Sequence, residues 1–434
     1  MKFGRSLGFL AALVSALCIG GLLSVAVTSK SYSESYPAVV CPPTLAGLTS
    51  QISLASKKTP FQRLQNRTTK TAPVKVLRLP VNKDSLLFSS DGVTPVVWQS
   101  RASSWAGGAV CTGPETSQWF VGGTADITTR GRLIIINSGL SDAVVDVQSF
   151  TENGKQPLRT ITVVSKNYQA IPTDSLAPGD KYLTVHVAPR SGRINAFMID
   201  EQGAGLKSLG GDLVNSVSNA SKSVMIPAIP HQIKDRSPAL PHTLRVLTPG
   251  DVDASVTAEV MSSDGVFVPV GLTSRTVSAG IVTEFQFTPK TSSTVLAVRI
   301  TSTEPVVAAV KSTVTVAGRK DFVWSTSAPE LVPLTIAISG LTPLVSFVGE
   351  RINVSLDVTL TNGKVVRKTV KGTDIATWRA PDAARSFTIT KVGPDTFAGA
   401  LVSSVNGYGY FPIASGSLLT KIELPDSNIR VLNP

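Results

Sequence analysis

Between Tyr36 and Lys83 the chain carries no acidic residue, yet it places eight cations there: Lys57, Lys58, Arg63, Arg67, Lys70, Lys75, Arg78 and Lys83. A block of one sign attracts anionic polymers or surfaces through long-range fields. These eight are the candidate site for an anionic partner, with a solvated basic segment as the alternative. Other chemistry is sparse. His231 and His242 lie in a proline-rich connection without cysteine or carboxylate ligands at a useful spacing, short of a zinc set. There is no Gly-x-Ser-x-Gly elbow and no His-Glu-x-x-His helix, and the glycines from Gly203 to Gly211 do not form a phosphate loop between strand and helix. Asp200 and Glu201 are adjacent, so on a strand they face opposite ways. Carboxylates distant in sequence could still meet in space, as glycosidase acids do. The reading assigns no catalytic residue, no cofactor and no metal.

Of the three cysteines, Cys18 lies in an apolar run, and Cys41 and Cys111 remain to pair outside the cell. Trp98, Trp105 and Trp119 are expected in the core near that bridge rather than as a sugar-stacking platform. The run itself, Leu7 to Val27, is uncharged and follows Lys2 and Arg5, which marks a membrane anchor or a cleaved signal. Either way the bulk of the chain is expected outside the cytoplasm, and nucleic acid is not an expected partner.

The elements around these residues repeat. Asp212-Leu213-Val214-Asn215-Ser216 returns 109 positions later as Asp321-Phe322-Val323-Trp324-Ser325, while Leu133 matches Leu244 and Gly154 matches Gly265. Such a period indicates an array of small modules. Before Gly154, Gly265 and Gly363 come the alternating sets Val145, Val147, Ser149; Val256, Ala258, Val260; and Val354, Leu356, Val358. That alternation suits a strand with one buried face, and the preceding Asn153, Asp264 and Asn362 complete hairpin turns that need positive φ. A second strand follows in each copy (Leu183 to Val187, Leu296 to Ile300, Phe387 to Ile389), then a third (Ile194 to Phe197, Val306 to Ala309, Phe397 to Ala400). His186, between Val185 and Val187, faces away from their core, and its counterparts are about Arg299 and Thr390. Asp212 and Asp321 could bind calcium, but turn residues accepting backbone hydrogen bonds are the expected role.

The fold class is all-β, a tandem of immunoglobulin-like β-sandwich modules after an N-terminal hydrophobic segment. The expected divisions are 1–36, anchor or signal plus polar spacer; 37–226, a unique first part with repeat one; 227–330, repeat two; and 331–434, a divergent repeat three.

The chain resembles uncharacterised secreted or membrane-anchored actinobacterial proteins classed as a domain of unknown function. Trp119-Phe120-Val121-Gly122-Gly123, Arg132-Leu133-Ile134-Ile135-Ile136-Asn137, Pro305-Val306-Val307-Ala308-Ala309-Val310 and the Asp321 motif carry the resemblance. It implies an exported cell-envelope protein and supplies no catalytic residues. The functional expectation is a non-enzymatic envelope scaffold or binding protein, engaging anionic glycans, lipids or partner proteins; the alternative is a cell-wall glycan-processing enzyme with an unrecognised carboxylate site.

Overall fold

The computed structural model describes residues 13–15, 37–66, 68–73, 75–89, 92–205, 207–233 and 240–417. Apart from 13–15, the expected anchor Leu7 to Val27 lies outside the described residues, as does Arg67. Among the described residues no helix is long and apolar enough to cross a membrane. The description below concerns the compact unit that begins at Pro37.

Strand alternation and the hairpin glycines build an all-β structure. Gly154, Gly265 and Gly363 have φ of 104°, 122° and 90°, the left-handed conformation their turns require. The second module shows the plan. One sheet runs in the order Gly154–Lys155, Ala143–Thr151, Thr184–Pro189, Gln118–Val121, with Arg159–Val163 also on Ala143–Thr151; the other runs Asn167–Pro172, Arg132–Asn137, Ile194–Ala204, Lys207–Val214. The consecutive strands Thr184–Pro189 and Ile194–Ala204 lie in different sheets of the sandwich.

The same plan occurs four times, not three. The segment read as unique carries it in full: Pro37–Cys41, Leu86–Ser89, Pro60–Arg63, Lys70–Thr71 in one sheet, and Arg78–Val81, Thr49–Ser53, Val93–Arg101, Trp105–Val110 in the other. In the third module two strands expected to be separate merge into Val295–Val316, which crosses from one sheet to the other. In the fourth module the merger occurs at Leu344–Leu360 and Val365–Arg379. The division placed at 226/227 falls inside Ser221–Pro230, a strand of the third module that pairs with Val295–Val316.

The modules close into a ring. Their final strands, Trp105–Val110, Lys207–Val214, Arg319–Thr326 and Tyr408–Pro412, pack each against the next, the fourth returning to the first. Leu334–Ala337 of the fourth module also pairs in parallel with the first module through Thr335 and Val93. Cores are shared across the seams: Phe322 and Trp324 of the third module join the second module's core, while Ile134, Phe197 and Ile199 of the second join the first module's. Close approach at the centre demands glycine. A Cβ on Gly107 would lie 2.5 Å from Asp212 Oδ1 and from the Leu213 amide nitrogen.

Cys41 and Cys111 are bridged across 70 residues, joining the first strand of the first module to the end of its last. Trp98, Trp105 and Trp119 are all buried, and Trp105 shares a core cluster with both cysteines.

Candidate functional site

The aspartates of the repeated motif sit at the ring centre. Asp212 accepts hydrogen bonds from the amides of Leu213 (2.8 Å) and Trp324 (2.7 Å), and Asp321 from those of Phe322 (2.9 Å) and Gly211 (3.1 Å). They accept backbone hydrogen bonds as expected, each from the next residue of its own strand and from a strand of the neighbouring module rather than within turns. Their places are not fully equivalent. Asp212 pairs with Asp200, whose counterpart when Leu133 is matched to Leu244 is Ser312; Ser312 pairs with Val323, two residues beyond Asp321. A two-residue slip keeps the same face. Burial pushes both carboxyls up, Asp321 to about 7, and Asp321 and Asp200 push Asp212 further. These acids fasten modules together.

Asp200 and Glu201 do face opposite ways. Glu201 reaches Arg101 of the first module at 2.8 Å. Asp200 faces the third module: its Oδ2 accepts from Trp324 Nε1 of that module (2.8 Å) and from Gln202 Nε2 of its own strand (2.9 Å).

Beside Asp200, where the second and third modules meet, is a cavity of about 290 Å³ lined by Thr129, Tyr182, Gln202, Arg245, Glu284 and Lys311 among others. Arg245 is 3% exposed and all three of its guanidinium nitrogens donate: Nε and Nη2 to Glu284 Oε1, and Nη1 to the carbonyls of Gly123 and Leu183. Its guanidinium lies 4.6 Å from the Trp324 ring and 5.6 Å from that of Tyr182. Lys311 Nζ is 4.2 Å from the Phe322 ring centroid and donates one hydrogen bond, to Gln202 Oε1 at 2.9 Å. Burial lowers its pKa, opposed by the Asp200 charge. The lining therefore offers an ammonium with donors in reserve, two carboxylates (Glu284, clasped by Arg245, and Asp126), threonine hydroxyls and an aromatic ring. It suits a small, hydroxyl-rich or anionic group.

Sequence reasoning missed this site, yet a signal was present. With Leu133 matched to Leu244, Arg245 stands at the position of Ile134 and Lys311 at that of Ile199. Cations replacing buried isoleucines between copies mark a seam with a different task.

The basic block is divided by its strands. Lys57, Lys58 and Lys75 occupy loops at one end of the first module, with Lys70 on the strand leading there; Arg63 and Lys83 lie at the other end. Arg78 is no surface charge, being half-buried with its stem against Gly340 of the fourth module.

The histidines hold structural places. His231 Nδ1 and His242 Nε2 are 3.0 Å apart, and His242 Nδ1 is 2.8 Å from Ser312 Oγ. Desolvation with His231 alongside lowers His242 to about 3. No group of His, Cys, Asp and Glu among the described residues could hold a metal ion. His186 stacks on Trp119 and lies 3.0 Å from Ser117 Oγ. That hydroxyl donates to the Ser218 carbonyl, so the imidazole is its donor, not its base. Opposite Gln148, His186 corresponds to Arg299 opposite Glu259 and to Thr388, rather than Thr390, opposite Asp357.

Residues 99–375 match the model of a family of unknown function, DUF5719. The chain belongs to this family. The match contains the second and third modules whole, and with them every residue of the cavity; Lys57 to Lys83 precede it. No curated protein matches the chain.

Proposed function

We propose that this DUF5719 protein is a non-enzymatic, exported cell-envelope scaffold that binds envelope glycans or their anionic substituents. The observation that carries the reading is the polar cavity between the second and third modules, where Lys311 keeps unused donors beside hydroxyls and Tyr182. Its volume is at the small end for ligand pockets and suits one sugar-sized group. Export is supported by the charge-free stretch Leu7 to Val27, which also supplies membrane attachment if retained. The exposed Lys57, Lys58 and Lys75 at one end of the first module favour an anionic partner, an envelope polymer or an envelope protein.

A second reading, a glycan-processing enzyme, draws on two carboxylates lining the same cavity, Asp126 and Glu284. Against it, a glycosidase needs an acid with a raised pKa. Asp126 is held below the usual range by the Thr128 amide and hydroxyl, and Glu284 is clasped by Arg245.

Ligand-observed NMR with neutral and acidic mono- and disaccharides tests the binding reading. We expect contacts in the native chain that Lys311→Ile abolishes. Sugar contacts unchanged in that variant, or none in the native chain, would remove the cavity from consideration; turnover abolished by Glu284→Gln would establish the enzyme. Separately, neutralising Lys57 and Lys58 should weaken retention on an anionic envelope polymer, and added salt should do the same by screening.

A further inference from the structure

At the seam between the first and fourth modules, Arg78 and Arg385 both meet the turn Ile338 to Gly340, Arg78 by its stem and Arg385 by its backbone carbonyl. The Arg78 stem rests against Gly340, where a Cβ would be 2.8 Å from Arg78 Cδ. The Arg385 carbonyl accepts from the Ile338 amide at 2.8 Å, and its Nη2 donates to the carbonyl of Val76, two residues before Arg78, at 3.4 Å. Ser339 ties the turn to the first module, its hydroxyl donating to the Leu54 carbonyl at 2.6 Å and its carbonyl accepting from Ser53 Oγ at 3.0 Å.

Both cations lack a counter-charge. Arg385 is 3% exposed, and its buried Nε has no hydrogen-bond partner; the buried Nε and Nη2 of Arg78 have none either. Among the described residues no carboxylate pairs with either. Desolvation pulls both pKa values down with no acid opposing it. A buried guanidinium is normally paired, as Arg245 is with Glu284. Lys75 lies exposed next to Val76, on the same loop.

We propose that Arg78 and Arg385 form a seat for a phosphoryl group. Guanidinium forks match the oxygens of phosphate, and a phosphomonoester dianion balances two cations where a carboxylate balances one. The seat is separate from the cavity between the second and third modules. It deepens the anionic-partner reading, on which it rests, by naming the group recognised.

Calorimetric titration of the full chain with inorganic phosphate, at constant ionic strength set with chloride, tests the seat. We expect saturable binding that raises Tm, roughly tenfold weaker affinity for Arg385→Gln and for the more exposed Arg78→Gln, and unchanged affinity for Lys57→Gln/Lys58→Gln. A sugar monophosphate binding as well as phosphate identifies a phosphorylated glycan as the source; phosphate alone identifies the free ion; both support the seat. Acetate competing as effectively as phosphate, undiminished binding by both arginine variants, or no binding by the native chain overturns it. Phosphate binding without retention of a phosphorylated polysaccharide would discard the envelope reading alone and leave the seat standing.

Discussion

Two seams of the ring are built from the same strands and filled with opposite chemistry. Between the first and second modules, Ile134 and Ile199 are fully buried in a shared apolar core. Between the second and third, their positions are taken by Arg245 and Lys311, and a polar cavity opens. Apolar packing would have held this seam as it holds the other. Cations there each need a partner in a poorly solvated place, and such groups add little net stability over apolar residues of similar volume. The difference teaches that the fold does not require the polar seam, which is why we attach function to it.

The sharpest way to break this comparison is Arg245→Ile. It strands Glu284 in a half-dry site and should destabilise the chain by about 3–5 kcal/mol in urea denaturation, whereas the Arg245→Ile/Glu284→Leu double variant, which imitates the apolar seam, should recover most of the loss. If the double variant is no better than the single one, the polar seam is structural and the comparison falls.

Asp212→Asn should cost about 1–3 kcal/mol, despite removing an acid disfavoured by burial, because either amide orientation sets an N–H donor against the amide of Leu213 or Trp324. A neutral result would show that the central fastening is not made by Asp212.

The smallest expected effect is the pH dependence, which separates the ring centre from the histidine pair. Asp321 has its folded pKa raised to about 7, so its contribution is full below its ordinary 3.8 and lost as pH rises through 7. Glu115, raised by burial to about 7, acts in the same direction. His242 is depressed to about 3, so its contribution is full above its ordinary 6.5 and lost as pH falls toward 3. The Tm profiles should change slope in opposite senses: Asp321→Asn removes a fall in Tm as pH rises from 3.8 to about 7, and His242→Gln removes a fall as pH drops from 6.5 to about 3. Identical changes in both would contradict these assignments.

Much of each module was legible from local pattern. Val145, Val147 and Ser149 alternate with polar residues before Asn153-Gly154, and this fixes a strand, its buried face and its hairpin without reference to the rest of the chain. The first module escaped notice because its last strand, Trp105–Val110, carries no aspartate, and because no Asx-Gly turn follows Pro60–Arg63. The cavity escaped because Arg245 reads as the exposed residue of an alternating strand. Only the third module's position against the second buries that outer face.

The sequence by itself determined the β class, the turns that need positive φ, the pairing of Cys41 with Cys111, and the charge asymmetry near the start, since each depends on residue type and spacing over short range. Tertiary structure alone decided the closure of four modules, the division of the basic block between two ends, the setting of Asp212 against Trp324, and the hydrogen bond of Arg385 to the Val76 carbonyl from some three hundred residues away. Local periodicity says which face of a strand is apolar; which neighbour covers the other face is a property of the assembled ring.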